Sequence, residues 1–274
     1  MSCPIGVFDS GYGGLTILKD IVKEMPEYDY IYLGDNARTP YGTRSFDVVY
    51  KYTREAVLKL FDMGCRLVIL ACNTASAKAL RTIQQVDLPR IDAQRRVLGV
   101  IRPSVEAVAD FTCNGHIGVL ATSGTVASES YLLEIAKIHS EKGFQVTQLA
   151  CPMWVPLVEN NEIDSPGAAF FVQKYIDVLM QNDPKIDTIV LACTHYPLLR
   201  GVIDRFVPQG VAVIQQGEIV ARSLKDYLCR HPEMERMLSR GGQVEFLTTE
   251  KGGMFDKMAA LFMQADVVSR HIEI

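Results

Sequence analysis

The sequence predicts an α/β protein made of two pseudo-symmetric parallel-sheet domains, with the active site in the cleft between them. Two observations carry this. Short, apolar, β-branched runs alternate with longer segments of three-to-four periodicity along the chain, as expected of a parallel sheet covered by helices. In addition, two segments of the first half return in the same order in the second. Ile5-Gly6-Val7-Phe8-Asp9-Ser10-Gly11 is echoed by Ile117-Gly118-Val119-Leu120-Ala121-Thr122-Ser123-Gly124, and Val68-Ile69-Leu70-Ala71-Cys72-Asn73-Thr74 by Ile189-Val190-Leu191-Ala192-Cys193-Thr194-His195. The chemistry is expected where strand C-termini meet the cleft.

Strands are expected at Ile5–Phe8, Tyr30–Leu33, Leu67–Leu70, Val97–Val100, Ile117–Leu120, Val146–Leu149, Thr188–Leu191, Val211–Ile214 and Val244–Leu247. Most do not alternate apolar with polar, which is how strands buried on both faces read. Ser45 is expected to cap a helix whose apolar positions Val48, Val49, Tyr52, Ala56, Val57, Leu60 and Phe61 run to a stop at Gly64. Ser128 is expected to start a second helix that runs through Leu132 and Ile135 to Gly143. Ser165-Pro166 is an N-cap followed by proline at the first helical position, opening a helix to about Asn182.

Composition bounds the function. A chain of 274 residues makes one large or two modest domains. With 48% apolar and 22% charged residues it is globular rather than disordered. Acidic residues outnumber basic ones 32 to 28, for a formal charge of −4, which argues against a nucleic-acid partner. No apolar run approaches the roughly 18 residues that cross a bilayer, so no membrane partner is expected. Met1-Ser2-Cys3-Pro4 lacks a basic region followed by an apolar stretch, so no secretory leader is expected. Seven cysteines is an odd number, and reduced thiols in the cytoplasm are the default.

Cys72 and Cys193 each follow an apolar strand and precede an expected helix. A thiol at a helix N-terminus feels free N–H donors and the positive dipole end, which favours the thiolate. Cys3, Cys65, Cys113, Cys151 and Cys229 are read as small packing residues, since free cysteine is among the most buried types. Two opposed thiols leave four options. A disulfide is disfavoured by compartment. Zinc needs about four Cys or His ligands at close spacing, and no CxxC exists. A Cys–His nucleophile leaves one thiol unexplained. A two-base proton transfer, one thiol on each face of a carbon, explains both.

Their neighbours extend the set. Asp9-Ser10-Gly11-Tyr12-Gly13-Gly14 is a Gly-rich turn, but the dinucleotide pattern GxGxxG fails at Thr16; Asp35, ending the second strand, keeps a ribose-binding reading open. Alternatively, the loop N–H groups and Ser10 hold a carboxylate and leave Asp9 as a proton-handling partner. Thr39-Pro40-Tyr41-Gly42-Thr43 is a turn that can close on a ligand as a lip. His195 lies two residues past Cys193 and can act as general acid or favour its thiolate. Cys151-Pro152-Met153-Trp154-Val155-Pro156-Leu157-Val158-Glu159 looks like a rigid, packed segment ending in an acid.

With these residues assembled, the chain resembles the glutamate racemases of the cofactor-independent aspartate/glutamate racemase superfamily. The resemblance rests on Phe8-Asp9-Ser10-Gly11-Tyr12-Gly13-Gly14-Leu15, Gly34-Asp35-Asn36-Ala37-Arg38-Thr39-Pro40-Tyr41-Gly42, Ala71-Cys72-Asn73-Thr74-Ala75-Ser76, Gly124-Thr125-Val126, Val155-Pro156-Leu157-Val158-Glu159 and Cys193-Thr194-His195-Tyr196-Pro197-Leu198-Leu199. It implies an isomerase that interconverts L- and D-glutamate for peptidoglycan in the bacterial cytoplasm, with neither pyridoxal phosphate nor metal, acting as a homodimer. It assigns Cys72 to D-glutamate with help from Asp9, and Cys193 to L-glutamate with help from His195 and Glu159. Substrate contacts carry over to Ser10, Pro40, Tyr41, Gly42, Asn73, Thr74, Thr122 and Thr194, beside Asp9 and His195. It also implies a discontinuous first domain, 1–96 plus 211–274, and a second domain, 97–210.

Two stretches depart from the family pattern. Gln215-Gln216-Gly217 stands where an Asp-Ser-Gly-like turn is usual, and Thr248-Thr249-Glu250 where a Thr-Ser-Asp-like stretch is. No long extension precedes Ile5, so an activator site dependent on one is not expected. The α-proton of an amino acid is a very weak acid, so charge developing there needs aimed donors. Ser10, Gly11, Asn73, Thr74 and Thr194 are the candidates, and the Cys loops hold no Lys or Arg nearby. Rival readings are an aspartate racemase or related decarboxylase, a Cys–His amidohydrolase using Cys193, and a non-catalytic amino-acid-binding protein.

Overall fold

The computed structural model describes residues 3–251 and 253–274. Met1 and Ser2, part of the N-terminal stretch read for a leader, lie outside the described residues. Ten strands form two sheets: β1 Ile5–Asp9, β2 Tyr30–Gly34, β3 Leu67–Leu70, β4 Arg96–Gly99, β5 His116–Ala121, β6 Gln145–Ala150, β7 Thr188–Ala192, β8 Ala212–Ile214, β9 Val244–Thr248 and β10 Ser269–His271. One sheet has the order β10-β9-β2-β1-β3-β4 and the other β6-β5-β7-β8. Every pairing is parallel. The nine expected strands are present to within two residues at each end. The tenth, β10, is a polar Ser-Arg-His triplet without an apolar run, paired at a sheet edge with β9.

The echo in the sequence is an echo in space. The run β2-β1-β3-β4 matches β6-β5-β7-β8, with the Gly-turn strand beside the cysteine strand in each sheet. β1, β2, β3 and β7 are buried throughout, which is why their apolar runs do not alternate. The chain passes between sheets twice, after β4 and after β8. Strand pairing puts β4 in the first sheet, beside β3, and β8 in the second, beside β7. Both passages come later in the chain than the boundaries expected at 96/97 and 210/211.

Helices fill the gaps. Ser45 Oγ accepts from Val48 N–H and opens Phe46–Asp62; Gly64 follows its end at φ 97°, a left-handed conformation natural to glycine. Ser165 Oγ likewise accepts from Ala168 N–H and opens Pro166–Asn182. Ser128 does not start its helix. Thr122 caps a short helix, Ser123–Ala127, and a second helix begins at Ser130 and ends at Ile138. Between them Glu129 takes φ 55°, and Ser128 Oγ bonds Thr125 O and Ser130. The helix Gly217–Arg230, which returns the chain from the second sheet, packs on Leu15–Glu24 of the first. One apolar core runs through both lobes, from Ile5 and Leu18 to Leu120, Leu191 and Trp154. Among the described residues no helix is long and apolar enough to cross a membrane.

Candidate active site

Parallel register brings the ends of β1 and β3 together, and likewise β5 and β7. Asp9 and Cys72 therefore emerge side by side, and Thr122 and Cys193 emerge opposite. The space between is a cavity of about 160 Å³ lined by Ser10, Pro40, Tyr41, Gly42, Cys72, Asn73, Thr74, Thr122, Glu159, Cys193, Thr194 and His195. Asp9 lies beneath it, only 1% exposed. Thr39 and Thr43, the ends of the expected lip, line it too, whereas Ser123, Cys151, Pro152, Val155 and Pro156 were not expected as wall residues. Cys151 was read as packing, and it is fully buried, but it also faces the cavity. Cys113 and Cys229 correct that reading in another way: they are exposed, not packed. Among the lining residues there is no Lys or Arg, so an anionic ligand is met by N–H groups, hydroxyls and His195.

The Cys72 side is tightly closed. Cys72 caps the helix Asn73–Lys78, its Sγ accepting from Ala75 N–H at 3.4 Å and lying 3.4 Å from Ser10 Oγ. The expected low thiol pKa is not realised. Burial first, then the nearby Asp9 charge, pushes the thiol up to about 12, against the lowering effect of Ser10 and Ala75. Desolvation outweighs the helix terminus here. Asp9 Oδ2 accepts from Gly11 N–H at 2.8 Å, so that N–H, read as a free donor, is occupied. Among the described residues no group hydrogen-bonds Asp9 Oδ1. Burial raises the Asp9 pKa, opposed by His195 and by the N–H groups of Gly11 and Gly14.

The Cys193 side is a relay. Cys193 Sγ lies 4.0 Å from His195 Nδ1, and His195 Nε2 lies 3.0 Å from Glu159 Oε1. Burial opposes an imidazolium, yet hydrogen bonds to Cys193 and Glu159, with their charges, push His195 up to about 10. The residues after Cys193 form a 3-10 turn, Tyr196–Leu199, that leads directly into the helix Arg200–Phe206. Trp154 explains how Glu159 reaches His195. Its buried ring meets Tyr196 edge-on at 4.7 Å and anchors the helix Trp154–Glu159.

The Gly-rich turn packs; it does not bind phosphate. A Cβ on Gly13 would lie 2.2 Å from Thr194 Oγ1 and 2.5 Å from His195 Nδ1, so only glycine lets the two loops meet. Thr16 Oγ1 donates to Thr194 O at 3.0 Å across the same seam. Asp35 is likewise no ribose ligand. It is fully buried, takes bonds from Arg38 Nε at 2.7 Å and Thr249 Oγ1 at 2.8 Å, and holds the Tyr41 hydroxyl. The lip over the cavity is thus braced from below. It is also tied across the cleft by Gly124 N–H donating to Gly42 O at 2.8 Å. Thr74 and Thr122 hydroxyls meet at 3.0 Å and join the two cavity walls. Among the described residues no group of three or more His, Cys, Asp or Glu is placed to hold a metal ion.

Comparison with known proteins agrees with this geometry. A sequence model described as Asp/Glu/Hydantoin racemase matches residues 5–224. A glutamate racemase of Ruegeria sp. (strain TM1040) is 37% identical over 96% of this chain and 97% of its own. The crystal structure of a glutamate racemase isoform from Bacillus anthracis superposes with a TM-score of 0.89 at 31% identity, covering 99% of this chain and 98% of that one. The Francisella tularensis glutamate racemase, solved in complex with D-glutamate, superposes at 0.84 with 29% identity, over 100% and 97%. The chain belongs to the Asp/Glu/Hydantoin racemase family.

Proposed function

We propose that this protein is a glutamate racemase, an isomerase that inverts the α-carbon by proton transfer between two thiols. The carrying observation is that Cys72 and Cys193, at matching strand ends of an internal repeat, face one small cavity from opposite lobes. A cavity of about 160 Å³ suits one amino acid and not a dinucleotide. Relatives at 37% identity are glutamate racemases, which favours glutamate over aspartate, and racemisation over hydrolysis or simple binding.

In the L-to-D direction Cys193, as thiolate, takes the α-proton, and an imidazolium at His195 stabilises charge on its sulfur. The Cα–H electron pair stays on carbon. Cys72, held as a thiol by burial, delivers its proton to the opposite face. The products are D-glutamate, a Cys193 thiol and a Cys72 thiolate, which Asp9 and His195 help to reset. Ser10, Asn73, Thr74 and Thr194 direct donors at the substrate carboxylates, with Pro40, Tyr41, Gly42 and Thr122 shaping the wall. The thiols and these donors supply the chemistry without pyridoxal phosphate or a metal. The need for reduced thiols supports a cytoplasmic enzyme, one supplying D-glutamate to peptidoglycan. We place the lobe boundaries at the ends of β4 and β8, and take the assembly as a homodimer, checked by light scattering.

The test is circular dichroism of L- or D-glutamate with the purified protein in D₂O. Ellipticity should decay to zero from either enantiomer, with deuterium appearing at the α-carbon and no ammonia released. Unchanged ellipticity with both enantiomers refutes the reading.

A further inference from the structure

We propose that Gln216 is a positioning residue for the active site, closing a buried ring of side chains that fixes the amide of Asn73 beside Cys72. Gln216 follows β8 where the chain leaves the second sheet, and only 2% of it is exposed. Its Oε1 accepts from Asn73 Nδ2 at 2.6 Å. Its Nε2 donates to Ser104 Oγ at 2.7 Å and to Tyr131 Oη at 2.9 Å. Tyr131 Oη donates in turn to Asn73 Oδ1 at 2.8 Å. The ring Asn73 to Gln216 to Tyr131 to Asn73 is closed, with every donor turned toward an acceptor. Ser104 Oγ passes its own proton to Val100 O at 2.8 Å.

The ring has two consequences. It joins both places where the chain crosses between sheets, through Val100 and Ser104 on one crossing and Gln216 on the other. It also fixes which end of the Asn73 amide is nitrogen, because Oδ1 is held by the Tyr131 hydroxyl. Asn73 lines the cavity, and its Nδ2 carries a second hydrogen besides the one given to Gln216. The amide therefore offers a donor to an anionic ligand, never an acceptor. An alternative amide orientation would present oxygen to a carboxylate. A serine at this place, as in the turn usual to the resembled family, has too few polar atoms and too short a reach to replace Gln216.

The inference rests on the racemase reading only for the identity of the ligand. The test is a double-mutant cycle of Gln216→Leu and Asn73→Ala, read on kcat/KM in both directions and on D-glutamate affinity by calorimetry, with Tm recorded for each variant. Losing an aligned donor to a charged group is expected to reduce kcat/KM about tenfold or more in Gln216→Leu. In the Asn73→Ala background the same change should cost less than about twofold, because the residue it acts through is gone. Equal losses in both backgrounds, or no loss in either, overturn the proposal. If Gln216→Leu does not fold, the cycle is read with Gln216→Glu. That carboxyl puts an O–H donor in place of the amide N–H only when protonated, so its activity relative to the parent should rise as pH falls; a flat ratio counts against the ring. An inactive parent would sink the racemase reading while the affinity cycle still decides this one.

Discussion

On the first-sheet side of the cleft, Cys72 lies between Ser10 and the Ala75 N–H, with a buried Asp9 behind it, and its thiol is pushed up to about 12. On the second-sheet side, Cys193 faces His195, which is pushed up to about 10 and backed by Glu159. The strands are copies of one another, yet the proton stores differ. On one side burial holds the proton on the Cys72 sulfur, and on the other the His195 imidazole is pushed toward its protonated form. A pseudo-symmetric scaffold thus supplies opposed geometry, while the local surroundings of the two thiols differ. In the proposed reaction this difference favours removal of a proton by Cys193 and donation by Cys72.

The largest effect expected from breaking this comparison comes from the thiols themselves. Cys72→Ser and Cys193→Ser should each lower racemisation by about 10²–10⁴-fold or more, since a hydroxyl is a far weaker acid and base than a thiol. Cys65→Ser and Cys229→Ser should leave turnover within a few fold. Decay of ellipticity from each enantiomer, with folding checked by thermal melting, decides it. Near-normal turnover in either active-site variant would return the Cys–His hydrolase to the front.

A smaller and directional effect should follow from the assisting groups. Asp9→Asn acts on the Cys72 side and His195→Asn on the Cys193 side. Each should raise the primary isotope effect with one α-deuterated enantiomer more than with the other, and in opposite senses. The final ratio of enantiomers cannot move, because a catalyst changes barriers only. Identical changes in both directions for both variants would break the assignment of sides.

The smallest effect should be on stability. The folded-state pKa of His195, about 10, lies above its unfolded value near 6.5. The folded protein therefore keeps this proton where the unfolded chain has lost it. This contribution is complete below about pH 6.5 and falls away as pH rises through about 10. Glu159→Gln weakens the hold on the imidazolium, so urea midpoints across that window should decline less steeply than in the parent. An unchanged slope would remove Glu159 from the relay.

Much of this was legible in the residues. Nine strands, the Ser45 and Ser165 caps and the paired Cys loops are written in local periodicity, turn chemistry and an internal repeat, all of which operate over short stretches of chain. Cys72 and Cys193 could be paired because the repeat says which strand ends correspond, whereas the expected substrate contacts from Ser10 to Thr194 came with the family resemblance. The start of one helix was misread because Ser128 turns its hydroxyl back to Thr125 O and to Ser130 and Glu129 takes φ 55°, so that helix opens at Ser130. β10 escaped because it has no apolar run and rests on its pairing with β9 and on Asp256, contacts that only packing creates. Sequence alone determined that two thiols end matching buried strands of an α/β protein. Only the tertiary structure decided that burial overrides the helix terminus at Cys72, that Asp9 takes the Gly11 N–H, that Gly13 seats one loop on the other, and that Gln216 closes a ring with residues 58 to 143 positions apart in the chain. The reason is physical. Capping and periodicity are set by neighbours in sequence, whereas desolvation and long-range hydrogen bonds exist only once distant segments have packed and excluded water.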